Sequence, residues 1–320
     1  MEIHRLKEIL DKFSHSKVLV IGDSILDEYI VGKTDRISPE APVPILLKQE
    51  LTYRAGGAAN VAMNLACLGA SVTLITSIGL DEKGQKLRKL LSENKIQLLT
   101  PNASHTICKT RVVAGHQQIV RIDEEKKKTE YAIDLTLENI EEIMYAIEDH
   151  DAVIMSDYNK GVLTQDLVDI VVEMAKEREK FIALDPKPTN KINFQGLDLI
   201  TPNEKEANEL VGAHDEELLS LHRRLSQKYQ SKFLAITLGE KGLMLSSGKN
   251  EPIILPSLAK GVCDVSGSGD SALSILSLTL LHKLPINEAA YLANLVCAIV
   301  ISKLGTATTN AAEILSWNRQ

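Results

Sequence analysis

Seven residues near the C-terminal end, Asp264-Val265-Ser266-Gly267-Ser268-Gly269-Asp270, join two glycines and an aspartate to an apolar helical run, Ser271 to Leu281. Glycine lets a backbone turn tightly and approach an anion closely. The start of a helix presents unpaired N–H groups and the positive end of its dipole to that anion. An aspartate at this point can accept a proton from a hydroxyl, while the amides stabilise charge developing on phosphate oxygens. The same residues also suit a plain helix N-terminus, with Asp270 favouring the dipole from the first turn. Taken alone, the motif does not choose.

Three further constellations carry the same two-sided reading. Asn203-Glu204-Lys205-Glu206 follows a strand and a Thr201-Pro202 turn. Asn203 and Glu206 have the spacing of a capping box. Glu206 could equally serve Mg²⁺ through water, because that ion keeps much of its hydration shell and leans on few carboxylates. Thr237-Leu238-Gly239-Glu240-Lys241-Gly242 closes an apolar strand, as a glycine-containing hairpin or as a turn open to nucleotide phosphates. Asp27, after the strand that ends in Gly22, and Asn60, at the helix opened by Gly56-Gly57, sit where α/β proteins place ligand contacts. They also suit a turn and a cap. No G-x-x-x-x-G-K-[ST] run is present, and no G-x-G-x-x-G follows the first strand, which argues against a P-loop enzyme and a dinucleotide oxidoreductase.

The elements that must hold these residues read as alternating strands and helices. Val18 to Gly22, Val72 to Thr76, Ala152 to Met155, Phe181 to Leu184, Leu199 to Thr201 and Phe233 to Thr237 are short apolar runs. Helical spacing falls between them at Ala58 to Leu68, Lys83 to Glu93, Thr164 to Lys176 and Glu204 to Val211. Such alternation predicts a mostly parallel sheet covered on both faces. Residues 28–53 and 107–122 break the rhythm with β-rich sequence and no intervening helix, so they predict a small sheet standing off a single domain of 320 residues. Pro39, Pro42 and Pro44 confine part of the first segment to an edge or loop. Gly115-His116 reads as the hairpin turn of the second.

Composition narrows the partners. A net charge of −7 with dispersed Lys and Arg, and an aromatic content of 4%, argue against nucleic acid or a membrane surface. The N-terminal MEIHRLKEILDKF is amphipathic, unlike a signal peptide. Cys67, Cys108, Cys263 and Cys297 lack metal or redox spacing and read as buried reduced thiols. A cytoplasmic protein is expected.

GGAAN at 56–60, NEKE at 203–206, TLGEKG at 237–242 and DVSGSGD at 264–270 resemble, in order and over the whole chain, the PfkB or ribokinase-like carbohydrate kinase family. The resemblance implies a three-layer α/β core with a β-lid, ATP and Mg²⁺, with a monovalent cation in some settings. It implies phosphoryl transfer to a sugar hydroxyl with Asp270 as base and the amides of Gly267, Ser268 and Gly269 as an anion hole. Asp27, Gly56, Gly57 and Asn60 would contact the sugar. Asn203, Glu204, Lys205, Glu206, Thr237, Gly239, Gly242 and Asn294 would lie near the nucleotide and its metal.

RISPEAPVPI (36–45), RAGGAANVAMNLACLGA (54–70), QQIVRID (117–123), DYNKGVL (157–163) and KLGTAT (303–308) are similar to the branch acting on the anomeric hydroxyl of D-glycero-β-D-manno-heptose 7-phosphate. That branch makes heptose 1,7-bisphosphate for ADP-heptose and lipopolysaccharide, and ending at Gln320 fits its kinase-only form. Asn159 and Pro188 stand where the pattern has glycine, and Ser268 where alanine is common. Lys109, Arg111 and Arg121 on the lid hairpin are expected to meet the 7-phosphate, and a lid-to-lid homodimer is expected. Another sugar, sugar phosphate or nucleoside as acceptor, and an ATP-binding scaffold with a decayed kinase fold, are the competing readings.

Overall fold

The computed structural model describes residues 1–100, 102–103, 105–115, 117–248 and 250–318. The amphipathic N-terminal stretch forms α1 (Ile3–Phe13), which leads into β1 (Lys17–Gly22). The chain then leaves the core for β2 (Ser24–Ile37) and β3 (Pro44–Gly57), and re-enters through α2 (Ala58–Cys67) and β4 (Ser71–Ile75). Next come β5 (Ile78–Gly79), α3 (Glu82–Glu93), β6 (Gln97–Leu99), β7 (Asn102–Ala103), and the pair β8 (Cys108–Ala114) and β9 (Gln117–Glu124). The second half alternates through α4 (Leu137–Asp149), β10 (Ala152–Ser156), α5 (Gln165–Glu177), β11 (Phe181–Asp185), β12 (Leu199–Ile200), α6 (Glu204–Val211), α7 (Leu218–Tyr229) and β13 (Phe233–Thr237). It ends in β14 (Leu243–Ser247), β15 (Ile253–Leu255), α8 (Ser268–Leu281), α9 (Ile286–Ile301) and α10 (Ala311–Trp317).

Among the described residues, nine strands form the central sheet in the order β15-β14-β13-β12-β11-β10-β1-β4-β6. All pairs are parallel except those made by β14. Strand alternation divides the core. Val18 and Val20 pack with α1, α2, α8 and α9, whereas Leu19 and Ile21 pack with α4, α5 and α7. The result is the expected three-layer α/β sandwich. Chain order reverses between β1 and β10, and at such a switch point the strand ends open a crevice. Asp23, Asp157 and Asp185 stand at the carboxyl ends of the adjacent strands β1, β10 and β11.

The second sheet, β3-β2-β8-β9, is the lid. Its strands reach beyond the expected 28–53 and 107–122, and the proline-rich part lies in a loop that opens onto the edge strand β3. Gly115 has a φ of 60°, suited to the predicted turn, while His116 lies outside the described residues. Of the four free cysteines only Cys108 is buried, and Cys263 is exposed because the loop before α8 runs over the surface. No described helix is long and apolar enough to cross a membrane.

Where β3 turns into α2, Gly57 takes φ 60° and ψ −140°, a conformation nearly closed to other residues. A Cβ there would stand 2.2 Å from the Asp23 carbonyl, which accepts the Ala58 N–H at 2.9 Å. Gly57→Ala is expected to lower unfolding free energy by about 2–3 kcal/mol in urea titration; an unchanged midpoint would mean that this junction is not strained.

Candidate active site

Helix α8 begins three residues earlier than its apolar run suggests, at Ser268, with Gly267 as N-cap at φ 78°. Asp270 therefore occupies the third helical position, and every residue from Asp270 to Leu280 is buried. A helix packed on all sides cannot shift to suit its first turn, so the carboxylate is held where the core puts it. Asp270 is only 2% exposed.

Each of its oxygens has a donor. Asn60 Nδ2 donates to Oδ2 at 2.7 Å, and the Tyr158 hydroxyl donates to Oδ1 at 2.8 Å. The Asn60 amide is itself oriented, because its Oδ1 accepts from Asn64 Nδ2 at 3.3 Å and Asn64 Oδ1 accepts from the Ser271 hydroxyl at 2.9 Å. Gly267 must lack a side chain here: a Cβ would sit 2.6 Å from Asn60 Nδ2. Burial pushes the Asp270 pKa up to about 6; the Asn60 and Tyr158 hydrogen bonds and the Lys109 charge oppose the rise, while the Asp27 charge adds to it. Ser271 N–H bonds back to Gly267 O at 3.0 Å and Ser268 N–H to Val265 O at 3.3 Å. The amides of Gly269 and Asp270 are then the leading donors of the helix, and the Cβ side of Gly269 faces open space.

The lid brings a polar face over this point. Register places Asp27 between Arg54 on β3 and Lys109 on β8, with Asp123 next to Lys109 on β9. One step along, Tyr29, Arg111 and Arg121 share the same face. Asp27 is buried and accepts from Arg111 Nη1 at 2.5 Å. Arg121 is bound to Asp123 at 2.7 and 3.0 Å. Lys109 lies 5.8 Å over the Tyr158 ring and Arg54 reaches the Thr306 carbonyl at 3.4 Å; neither forms an ion pair among the described residues. Burial lowers the Lys109 pKa. Gly56 lies directly against Asp27, where a Cβ would come within 2.6 Å of its Oδ2.

On the other side of α8 a cavity of about 660 Å³ is lined by Thr237, Gly239, Gly242, Ser268, Asn294 and Cys297, among others. The 237–242 turn is a β13–β14 hairpin, and Thr237, Gly239 and Gly242 also line this cavity. Asn294 lines it while bracing the loop before α8, donating to Pro256 O at 2.5 Å and accepting from Leu258 N–H at 3.2 Å.

Asn203, Glu204, Lys205 and Glu206 do not line that cavity. Asn203 bridges to Thr237 and completes a capping box with Glu206. The Glu206 carboxylate also takes the Lys187 ammonium at 2.8 Å. Glu204 pairs with Lys241, and Lys205 points outward beside Glu209. No cluster of three metal-ligating side chains exists among the described residues. Asp185 is half-buried near Glu206 and Asp270; desolvation first, then those two charges, hold its pKa well above its ordinary value. A divalent cation bound mainly by phosphate oxygens and water, with one or two carboxylates behind it, fits this acidic rim.

The profile of the pfkB family carbohydrate kinases matches residues 15–313. The chain belongs to that family. The bifunctional protein HldE of Haemophilus ducreyi is 40% identical over 307 residues, covering 95% of this chain and 64% of that relative. HldE of Pasteurella multocida is 38% identical over the same span. The chain thus spans just under two thirds of the length of the curated relatives it matches. Among solved structures, a putative ribokinase from Agrobacterium tumefaciens superposes with a TM-score of 0.78 at 19% identity, over 95% of this chain and 99% of that one. Phosphofructokinase-2 from Escherichia coli gives 0.76 at 17%, over 95% and 100%. At such identities the likeness concerns the fold.

In this pfkB-family chain both departures from the glycine pattern have local reasons. Asn159 adopts φ 56°, a left-handed conformation that asparagine tolerates better than most residues. Pro188 opens a short 3-10 turn, where its missing N–H has no partner to lose. Sequence reading passed over Tyr158, Arg54 and Asp185. The signal for Tyr158 was its place in DYNKGVL, just after a buried strand.

The raised pKa of Asp270 has a stability consequence. With a folded value of about 6 against an ordinary 3.8, the folded protein holds this proton more tightly than the unfolded chain. The penalty is absent below about pH 4, grows between 4 and 6, and is full above, at about 3 kcal/mol. Asp270→Asn is expected to gain about 2 kcal/mol more unfolding free energy at about pH 8 than at about pH 4.5. Equal changes at the two pH values would show that the carboxylate is not desolvated.

Proposed function

We propose that this chain transfers the γ-phosphoryl group of ATP to the anomeric hydroxyl of D-glycero-β-D-manno-heptose 7-phosphate, yielding heptose 1,7-bisphosphate for ADP-heptose and lipopolysaccharide synthesis in the cytoplasm. The observation that carries the reading is the buried carboxylate of Asp270, oriented between the polar face of the lid and the cavity behind α8. The sugar binds on the lid side, against Asp27, Asn60 and the Gly56-Gly57 backbone. ATP binds on the cavity side, against Thr237, Gly239, Gly242 and Asn294. The acceptor hydroxyl gives its proton to Asp270 as its oxygen bonds to the γ-phosphorus and the bond to ADP breaks. A base with a pKa of about 6 is mostly ionised near neutrality yet still basic enough to help. The first-turn amides of α8 face the transferring group, so positioning and electrostatics supply most of the acceleration. Mg²⁺ would offset phosphate charge, with Glu206 reaching it through water.

Heptose 7-phosphate is favoured over an unphosphorylated sugar by charge. Arg111 and Arg121 are already matched by Asp27 and Asp123, which leaves Lys109 and Arg54 on the same face for an acceptor phosphate. The opposite face of the lid exposes Val120 at 47% and Ile122 at 49%. A homodimer closing lid against lid would cover them. Ile122→Glu is then expected to give a monomer by light scattering where the parent chain is dimeric; a monomeric parent removes that part of the proposal.

The acceptor test is ADP release by purified protein with ATP, Mg²⁺ and K⁺ against heptose 7-phosphate, unphosphorylated heptose, fructose 6-phosphate, ribose and adenosine. Highest kcat/KM is expected for heptose 7-phosphate, and a better acceptor would replace it. Asp270→Asn is expected to lower kcat about a thousandfold while ATP binding by calorimetry stays within a few-fold; near-normal turnover would remove Asp270 as the base.

A further inference from the structure

Two features around Asp270 belong to neither the lid nor the nucleotide cavity. The first is the Tyr158 hydroxyl, whose one acceptor among the described residues is Asp270 Oδ1 at 2.8 Å. The second is the clamp that holds Tyr158. Asp23, fully buried, accepts the backbone N–H groups of Tyr158 and Lys160 on Oδ2, each at 3.0 Å, and that of Val162 on Oδ1 at 2.9 Å. From the other side Asp157 accepts from Asn159 N–H at 2.7 Å and from Asn190 Nδ2 at 3.0 and 3.1 Å. Two carboxylates at adjacent strand ends thus fix one short loop, and the only side chain it sends to Asp270 is a phenol. A loop so heavily pinned is more than a connection between β10 and α5.

We propose that Tyr158 is the positioning residue of the catalytic carboxylate: its hydroxyl, set by the Asp23 clamp, aims Asp270 and favours its ionised form. The assignment rests on Asp270 acting as the base. Chemically the pairing has a clear direction. Asp270 accepts one hydrogen bond on each oxygen, from Asn60 and from Tyr158, which leaves lone pairs on both oxygens for an acceptor hydroxyl. A phenol beside a carboxylate can help only while it keeps its own proton. Burial first, then the Asp270 and Asp185 charges, hold the Tyr158 pKa well above its ordinary value, so it remains a donor throughout the working range. Donation to the charged form stabilises that form.

The other charges around Asp270 would not replace this donor. Asp27 on β2 is acidic and disfavours ionisation, Asp185 on β11 is itself pushed toward its protonated form, and the Arg111 guanidinium is spent on Asp27. Lys109 on β8 favours the charged form, but it reaches the site over the Tyr158 ring rather than by contact with the carboxylate. Asn60 holds the second oxygen and sets that side alone. Removing the hydroxyl therefore takes away one of two direct donors while leaving the Asp27 charge in place.

The test reads the carboxyl directly and does not require turnover. In protein labelled with ¹³C at aspartate Cγ, the Asp270 resonance is assigned by its loss in Asp270→Asn and titrated in the parent and in Tyr158→Phe. The midpoint near 6 is expected to rise by about one unit in Tyr158→Phe. The acidic limb of kcat/KM for the acceptor should move by the same amount, so that the variant loses more activity at about pH 6 than at about pH 8. ATP affinity and the thermal midpoint serve as the check that the variant is folded. An unmoved titration, or an activity loss equal at all pH values, overturns the proposal. A moved titration in a protein that phosphorylates no acceptor keeps the pairing and removes the kinase reading instead.

Discussion

Taking a carboxylate out of water at the mouth of a parallel sheet is the constraint from which the rest of this site follows. An isolated buried aspartate would take up a proton and lose its value as an acceptor. Asp270 avoids that outcome only because donors arrive from two other parts of the chain, α2 and the loop after β10. Those parts meet because β10 lies beside β1 in the sheet and α2 packs against α8. The relay from Ser271 through Asn64 to Asn60 closes the circle, since it begins one residue beyond the carboxylate it orients. Each donor has its geometry fixed by something buried, so the arrangement does not depend on a flexible side chain finding its place.

Charge on the lid side is organised by subtraction. Strand register stacks four basic residues and two acidic ones on one face. Had all four cations been free, the face would repel itself and hold any anion indiscriminately. Asp27 and Asp123 neutralise Arg111 and Arg121 through direct ion pairs, the first buried and the second open to solvent. The buried pair is the stronger constraint, because breaking it would strand a charge away from water. What remains unmatched is Lys109, held by an aromatic ring, and Arg54, reaching a carbonyl near the chain end. The rim beyond Asp185 shows the opposite balance, an excess of carboxylate answered mainly by Lys187. The lid face therefore carries spare basic charge, whereas the rim beyond Asp185 carries spare carboxylate.

Much of this was legible before any coordinates. The alternation of apolar runs and helical spacing located six of the nine described strands of the central sheet to within a residue or two, because strands buried on both faces leave little ambiguity in composition, whereas β6, β14 and β15 did not stand out. The capping box at Asn203 and Glu206 was legible for the same local reason. The start of α8 was not. Gly267 and Gly269 lower helix propensity, so the pattern placed the first turn at Ser271; packing of the whole helix into the core overrides that preference. Tyr158 was hidden by distance, since nothing in the spacing between residues 158 and 270 signals that a loop and a helix start share one hydrogen bond. Lys205 shows the limit of reading a motif as a unit. It shares a motif with Asn203 and Glu206, yet helical geometry turns it to solvent.

The two readings of 264–270 posed by the sequence, a helix cap or a reaction centre, are compatible with one geometry. A carboxylate in the first turn of a helix is favoured by the dipole, which offsets part of the penalty of burying it. The leading amides of such a terminus have no partner within the helix, and the Cβ position of Gly269 opens onto free space beside them. An apolar helix with no polar duty would have no reason to begin on Gly-Ser-Gly-Asp with its acid fully enclosed. It would put that acid in water, where the dipole serves as well and burial takes nothing away. The enclosure is what separates this terminus from an ordinary one, and it is also what makes the donors on Asn60 and Tyr158 necessary.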